Sequence, residues 1–298
     1  MKLLAFDVGG TEIKYGAVED GLTITDKGFV PSPKDTFESF ANVSDSVYQQ
    51  HKEEVEGIAM SLPGFIDVKN GRCNGGGALR YNIGTAVGKL LEEQCGCKVV
   101  LENDGKAAVM AEYRYGALQG CSNAAVFVIG TGVGGGLIIN RQIVRGRHFT
   151  AGAFSFLITD AKDYQNQESM LGGNCSTTFL LNTYKTRTGS EELINGREFF
   201  ARLPEDPIAQ EVLDELCENI AKQIYNLYWL LDLEKIAIGG GISRQPILTE
   251  KIREKFNEVV ERSFAGQHHF KIDIDIVPCQ FSNDANLIGS YINYVENQ

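Results

Sequence analysis

Leu3-Leu4-Ala5-Phe6-Asp7-Val8-Gly9-Gly10-Thr11-Glu12-Ile13-Lys14 joins an apolar run to a glycine turn through an acid. An apolar run makes a strand, Gly9-Gly10-Thr11 a turn, and residues 13–18 a second strand, so the first strand delivers the carboxylate of Asp7 to a glycine turn. Glycine lets a backbone take positive φ and approach a ligand closely, so its N–H groups can point at phosphate oxygens. The plan returns further along. Residues 125–129 form an apolar run, Gly130-Thr131-Gly132-Val133-Gly134-Gly135-Gly136 a turn, and residues 137–144 a second strand. A third run, residues 235–238, ends in Gly239-Gly240-Gly241. Three such turns, two with a threonine and one with an acid, point to a nucleotide held between two lobes of related architecture.

Working outward, helical periodicity is expected over residues 37–55, 85–94, 107–115, 208–231, 248–262 and 285–295. Strands are expected at 57–62, 99–101 and 272–276, where Ile272, Ile274 and Ile276 alternate with Asp273 and Asp275. Trp229, on the long helix expected at 208–231, reads as a packed core aromatic. Strands alternating with helices give an α/β fold. The connector at 116–122 separates a first lobe, 1–118 with the C-terminal helix 283–298, from a second, 119–282.

The 298 residues suffice for two domains or one large one, and 43% apolar with 22% charged is an ordinary globular composition. A net charge of −11, from 28 Lys plus Arg against 39 Asp plus Glu, opposes nucleic acid and anionic membranes as partners. No stretch is apolar enough for a membrane span, and Asp7 interrupts the N-terminal run too early for a signal peptide. Seven cysteines, an odd number, read as free thiols in a reducing cytoplasm. Cys95-Gly96-Cys97 lacks CxxC spacing, and the four histidines form no zinc-type cluster with the cysteines.

Gly130, Gly132 and Gly135 satisfy G-x-G-x-x-G, but that dinucleotide fingerprint requires a helix next, and Leu137-Ile138-Ile139-Asn140 reads as strand. A Walker A motif is absent too, which leaves a hairpin-type phosphate loop. Asp7 at a strand end before two glycines can hold Mg²⁺ through water, while Thr11 and the turn amides meet phosphates and Lys14 adds a cation. A plain hairpin with a Gly-Gly turn fits the same residues. In Glu102-Asn103-Asp104-Gly105, at a strand-to-helix junction, Asp104 is placed either as a general base facing a ligand crevice or as a helix N-cap.

Taken in order, Asp7-Val8-Gly9-Gly10-Thr11, Ser61-Leu62-Pro63-Gly64, Glu102-Asn103-Asp104, the 129–136 turn and Ile238-Gly239-Gly240-Gly241-Ile242 resemble the ROK (repressor, open reading frame, kinase) family over nearly the whole chain. The resemblance implies a two-lobed actin-like ATPase (ribonuclease-H-like) fold with an active-site cleft between lobes. It also implies ATP- and Mg²⁺-dependent phosphorylation of a sugar hydroxyl. Asp104 would be the catalytic base. Asn103, Ser61, Gly64 and, by a looser match, Asn82 would contact the sugar. Asp7, Gly9, Gly10, Thr11, Lys14, Gly130, Thr131 and Gly132 would meet phosphates and Mg²⁺, with Gly240 and Gly241 at the adenosine. A homodimer, common among such kinases, is compatible with this reading.

Two departures from the family pattern bear on the substrate. Where many family kinases carry Glu-x-Gly-His, this chain has Ala153 and Phe156, and in place of the cysteine-rich zinc loop it has Leu171-Gly172-Gly173-Asn174-Cys175-Ser176. No zinc is therefore expected. Losing the Glu and His removes hydrogen-bonding groups and adds apolar surface, which suits a sugar substituted at its anomeric carbon, such as a β-glucoside. The stretches 74–80 and 152–156 look similar to zinc-less β-glucoside kinases of this family. An N-acetylmannosamine kinase or a glucokinase/fructokinase type is the alternative, and a catalytically weak sugar sensor is the rival of another class. A repressor would need a DNA-binding domain before the first strand, which begins at Leu3.

Overall fold

The computed structural model describes residues 1–160 and 162–297. In chain order the elements begin with β1 (Lys2–Val8), β2 (Glu12–Glu19), β3 (Thr23–Pro31), α1 (Phe37–Gln49), β4 (Ile58–Leu62), β5 (Phe65–Asp67), β6 (Arg72–Gly75), α2 (Val87–Cys95), β7 (Val99–Asn103) and α3 (Asp104–Tyr115). They continue with β8 (Ala124–Ile129), β9 (Val133–Ile139), β10 (Gln142–Ile143), α4 (Leu171–Asn174), α5 (Thr177–Thr188), α6 (Gly196–Arg202) and α7 (Pro207–Leu231). The last are β11 (Lys235–Gly239), α8 (Pro246–Arg262), α9 (Phe264–Gln267), β12 (Asp275–Pro278) and α10 (Ala285–Glu296). Internal contacts divide the chain into two units. The first holds Met1–Ala111, Ile143–Ala151 and the C-terminal residues from Asp284; the second holds Glu112–Gln142 and Gly152–Asn283.

Each unit is built on a five-stranded sheet, β3-β2-β1-β4-β7 in the first and β10-β9-β8-β11-β12 in the second. In both, an antiparallel hairpin (β1/β2, β8/β9) is followed by two parallel neighbours. The echo between the two glycine hairpins is therefore a repeat of the whole sheet plan. Parallel strands covered on both faces read as continuous apolar runs, and β1 does so because Leu3, Leu4, Ala5 and Phe6 are all fully buried. Alternate residues serve different cores. Leu4, Phe6 and Val8 pack with Phe40, Val87 and Leu91 of α1 and α2, while Leu3 and Ala5 pack with Leu287 and Tyr291 of α10. Small residues on that second face, Ala5 and Ala59, let α10 lie close.

Four expectations shift. Strand β3 was not foreseen, because its edge position leaves it with few buried side chains. Helix α1 stops at Gln49, short of residue 55. Of the stretch 272–276 only the last two residues enter a strand, β12. Trp229 is 49% exposed, against the core role expected of it. The buried stripe of α7 runs through Leu213, Leu216, Cys217, Ile220, Ile224 and Leu227, and helical spacing puts position 229 off that stripe.

On α10, Gly289 faces α3 so closely that a Cβ there would collide with the carbonyl oxygen of Ala107. In an exposed helix, Gly→Ala gains up to about 1 kcal/mol. Here Gly289→Ala should instead destabilise by about 2 kcal/mol through overpacking, read as a lowered urea midpoint with unchanged slope.

Candidate functional site

The parallel strands of the first unit end side by side. Asp7 of β1 is in register with Ser61 of β4, and Ser61 with Glu102 of β7, so these strand ends gather polar side chains at one edge of the sheet. Asp7 Oδ1 accepts hydrogen bonds from Asn286 Nδ2 of α10 at 2.8 Å and Ser61 Oγ at 3.2 Å. Burial raises the Asp7 pKa above the ordinary carboxylate value, and the Asn286 bond, the charge of Lys14 and the Ser61 bond oppose that rise. Ser61, expected from the resemblance to contact the sugar, is fully buried and also donates to Phe6 O, so it braces Asp7. Lys14 lies opposite Asp7 in the hairpin register, on the same face, and pairs with Glu12 at 3.5 Å.

Asp104 begins α3, but the helix cap belongs to its neighbour: Asn103 Oδ1 accepts from Lys106 N at 3.1 Å. Asn103 Nδ2 donates to Asp104 Oδ1 at 2.8 Å and to Gly64 O at 2.9 Å, which ties the β4–β5 turn to the acid. The Asn103 side chain, expected from the resemblance to contact the sugar, thus holds Asp104, the β4–β5 turn and the start of α3. Burial pushes the Asp104 carboxyl up to about 6; the Gly105 N–H pulls it down, and the charge of Asp7 pushes it up again. Asn82 is buried, with an Oδ1 that has no hydrogen-bond partner among the described residues.

Behind Asp104 lies an ion pair. Glu102 is fully buried; its Oε1 accepts from Asn103 N at 2.8 Å and its Oε2 from Arg145 Nε at 2.9 Å. Arg145 also donates to Asn293 Oδ1 of α10 at 3.0 Å. The nearby Lys106 ammonium is buried and donates to Phe149 O at 3.2 Å, and burial lowers its pKa. The motif reading saw none of these supports, since Arg145 and Asn293 lie far along the chain.

Both glycine turns are pinned by their carbonyls. In the first, Gly9 O accepts from Ser32 Oγ at 2.6 Å, Gly10 O from Lys34 Nζ, and Thr11 O from Ser32 N at 3.0 Å. In the second, Gly130 O accepts from Thr177 N at 2.9 Å, Thr131 O from Thr178 Oγ1 at 2.8 Å, and Gly132 O from Gly130 N at 2.9 Å. Ser155 Oγ bridges Val133 N and O next to it.

Within the second unit a cavity of about 540 Å³ is lined by Gly130, Thr131, Thr177, Thr178, Asn195, Gly196, Arg197, Gly241 and Ile242, among others. Gly130, Thr131 and Gly241 are thereby brought together. Gly240 is not on that wall: its φ of 97° turns it so tightly onto β8 that a Cβ would strike Ile129 O. Asn195 and Arg197, which the motifs missed, line the same cavity. Among the described residues no group of three or more His, Cys, Asp or Glu is arranged to hold a metal, and no helix is long and apolar enough to cross a membrane.

The ROK family model matches residues 3–295. A beta-glucoside kinase of Listeria monocytogenes is 30% identical, over all of this chain and 99% of its own length. A ROK family protein from Streptococcus pneumoniae, solved in complex with sucrose, is 27% identical with a TM-score of 0.87, covering 100% of this chain and 99% of that one. A ROK family glucokinase from Streptomyces griseus, solved with glucose and AMPPNP, covers 97% of this chain and 98% of its own at a TM-score of 0.84; at 24% identity it speaks for the fold alone, that of the actin-like ATPases.

Removing one partner of a buried ion pair strands the other. Arg145→Met should cost about 3 kcal/mol at pH 7. Burial already raises the Glu102 pKa, so the uncharged acid is the form the fold tolerates and the deficit should grow as pH rises through the carboxylate range. Denaturant titrations should therefore find the variant closer to wild type at pH 5 than at pH 7.

Proposed function

The chain belongs to the ROK family, and from that premise we propose that it is an ATP-dependent carbohydrate kinase, transferring the γ-phosphoryl group of MgATP to a hydroxyl of a hexose or hexoside, the 6-hydroxyl by family analogy. The observation that carries the reading is the pairing, at one edge of the first unit's sheet, of a carbonyl-pinned glycine turn with a carboxylate raised to about 6. Phosphoryl transfer asks the protein for positioning and charge stabilisation more than for covalent chemistry. Asp104, largely ionised at neutral pH, takes the hydroxyl proton as that oxygen attacks the γ-phosphorus and ADP departs with the bridging oxygen. Asn103 and the Gly64 carbonyl keep the base in place. The amides of the first turn serve phosphates, and the second unit's turn lines a cavity whose size suits a nucleoside. Asp7 would meet the Mg²⁺ of MgATP through water, since a cation offsets the burial that disfavours its charge.

For the acceptor we favour a β-glucoside. Phe156, three residues after Ala153, is 63% exposed, and the Ala153 methyl group and this ring stand at the positions where the family pattern has a Glu and a His. The similarity to a beta-glucoside kinase and to a protein that binds sucrose, itself substituted at the anomeric carbon, supports this. The seven free cysteines suit a reducing cytoplasm.

Asp104→Asn should fold normally and lose at least about 100-fold in kcat, whereas a variant keeping more than about a tenth of the wild-type rate would remove Asp104 from the role. In wild type, kcat/KM for the sugar should fall as pH drops below about 6, because the base must be ionised. A coupled ADP-release assay on cellobiose, glucose, fructose and N-acetylmannosamine should rank cellobiose first. Preference for a free monosaccharide would refute the glycoside, and ligand binding without turnover would indicate a sensor.

A further inference from the structure

We propose that Ser32 and Lys34 are positioning residues for phosphate binding: by holding the carbonyls of the first glycine turn from behind, they aim its amides, and Lys34 adds a positive charge that those amides transmit. The inference rests on the kinase reading and goes beyond the motif, which ends at Lys14.

The argument begins with the peptide plane. In a trans peptide the C=O and the N–H point in opposite directions. Fixing the carbonyls of Gly9 and Gly10 therefore fixes where the N–H groups of Gly10 and Thr11 point. Ser32 Oγ holds the first carbonyl and Lys34 Nζ the second, while Ser32 N holds that of Thr11. Gly10 N and Thr11 N have no hydrogen-bond partner among the described residues, so they form a small concavity of donors on the opposite side. Glycine turns are otherwise soft, and an unpinned one would have to be ordered by the ligand itself.

The second unit supplies the comparison. Two carbonyls of its turn are held from outside, by Thr177 N and Thr178 Oγ1, both uncharged donors, while Gly132 O accepts from Gly130 N within the turn. Only the first turn is held by an ammonium group. A charge bonded to a carbonyl polarises that peptide and strengthens its N–H as a donor. Lys34 itself is exposed, and the cap of α1 is made by Thr36, so neither the core nor the helix start explains the lysine. Lys14, the cation that the motif offered, is paired with Glu12.

The test uses the full chain with three variants, Lys34→Met, Lys34→Arg and Ser32→Ala, and two readouts. With inorganic tripolyphosphate and MgATP as calorimetric probes, Lys34→Met should bind about tenfold more weakly, with a shallower dependence on salt, Lys34→Arg should stay within about threefold of wild type, and Ser32→Ala should fall between them. In steady state the KM for ATP should rise for Lys34→Met while the KM for sugar and the melting temperature hold, a split that a general loosening of the structure would not give. Triphosphate affinity within twofold of wild type in Lys34→Met would overturn the inference, as would equal rises in both KM values. Triphosphate binding that depends on Lys34 in a wild type inactive on every sugar would leave it standing and remove the kinase reading. Asp104→Asn should bind the probes as wild type does, which keeps the two ideas apart.

Discussion

A peptide bond cannot turn its carbonyl one way without turning the next amide the other, and the site depends on that constraint. The first unit sets three hydrogen bonds on the back of its glycine turn and the second sets two, besides one that closes the turn on itself. The pinning groups come from different places, a loop before α1 in one unit and the first turn of α5 in the other. Common sheet plans with unlike pins indicate that the orientation of the amides, more than any one side chain, is what both units preserve.

The carboxylate shelf follows a related logic. Asp7, Asp104 and Glu102 lie at neighbouring strand ends, and three mutually repelling acids hold together there only because each has its own partners. Asn286 and Ser61 satisfy Asp7, Gly105 and Asn103 satisfy Asp104, and Arg145 takes Glu102. Among the described residues only Glu102 of the three has a cation bonded to it; Asp104, pushed by burial up to about 6, is held by an amide and a backbone N–H alone. Two acids within a run of three residues thus sit in unlike surroundings, one in an ion pair and one without.

Much of this was legible in the chain because its signals are local. Hydrophobic runs into glycine turns marked β1 and β8, and the family motifs marked Asp104. What was not legible depends on residues distant in sequence. Ser61 lies in a recognisable turn, yet its burial against Phe6 and Asp7 follows from strand order. Glu112 accepts from the backbone of Ala117, Gln280 and Phe281, a role that no spacing announces. Lys34 falls outside every motif, and a hairpin pattern indicates that a turn exists without saying what stands behind it. Edge strand β3 was missed because period-two burial is the strand signal, and an edge strand has little to bury.

Asp7 and Asn286 are separated by 279 residues, and the second is carried by α10. On a ribosome, the acid therefore precedes its amide partner by 279 residues of synthesis. The strands β1, β4 and β7 can pair while Asp7 still lacks that partner, which arrives only when α10 docks.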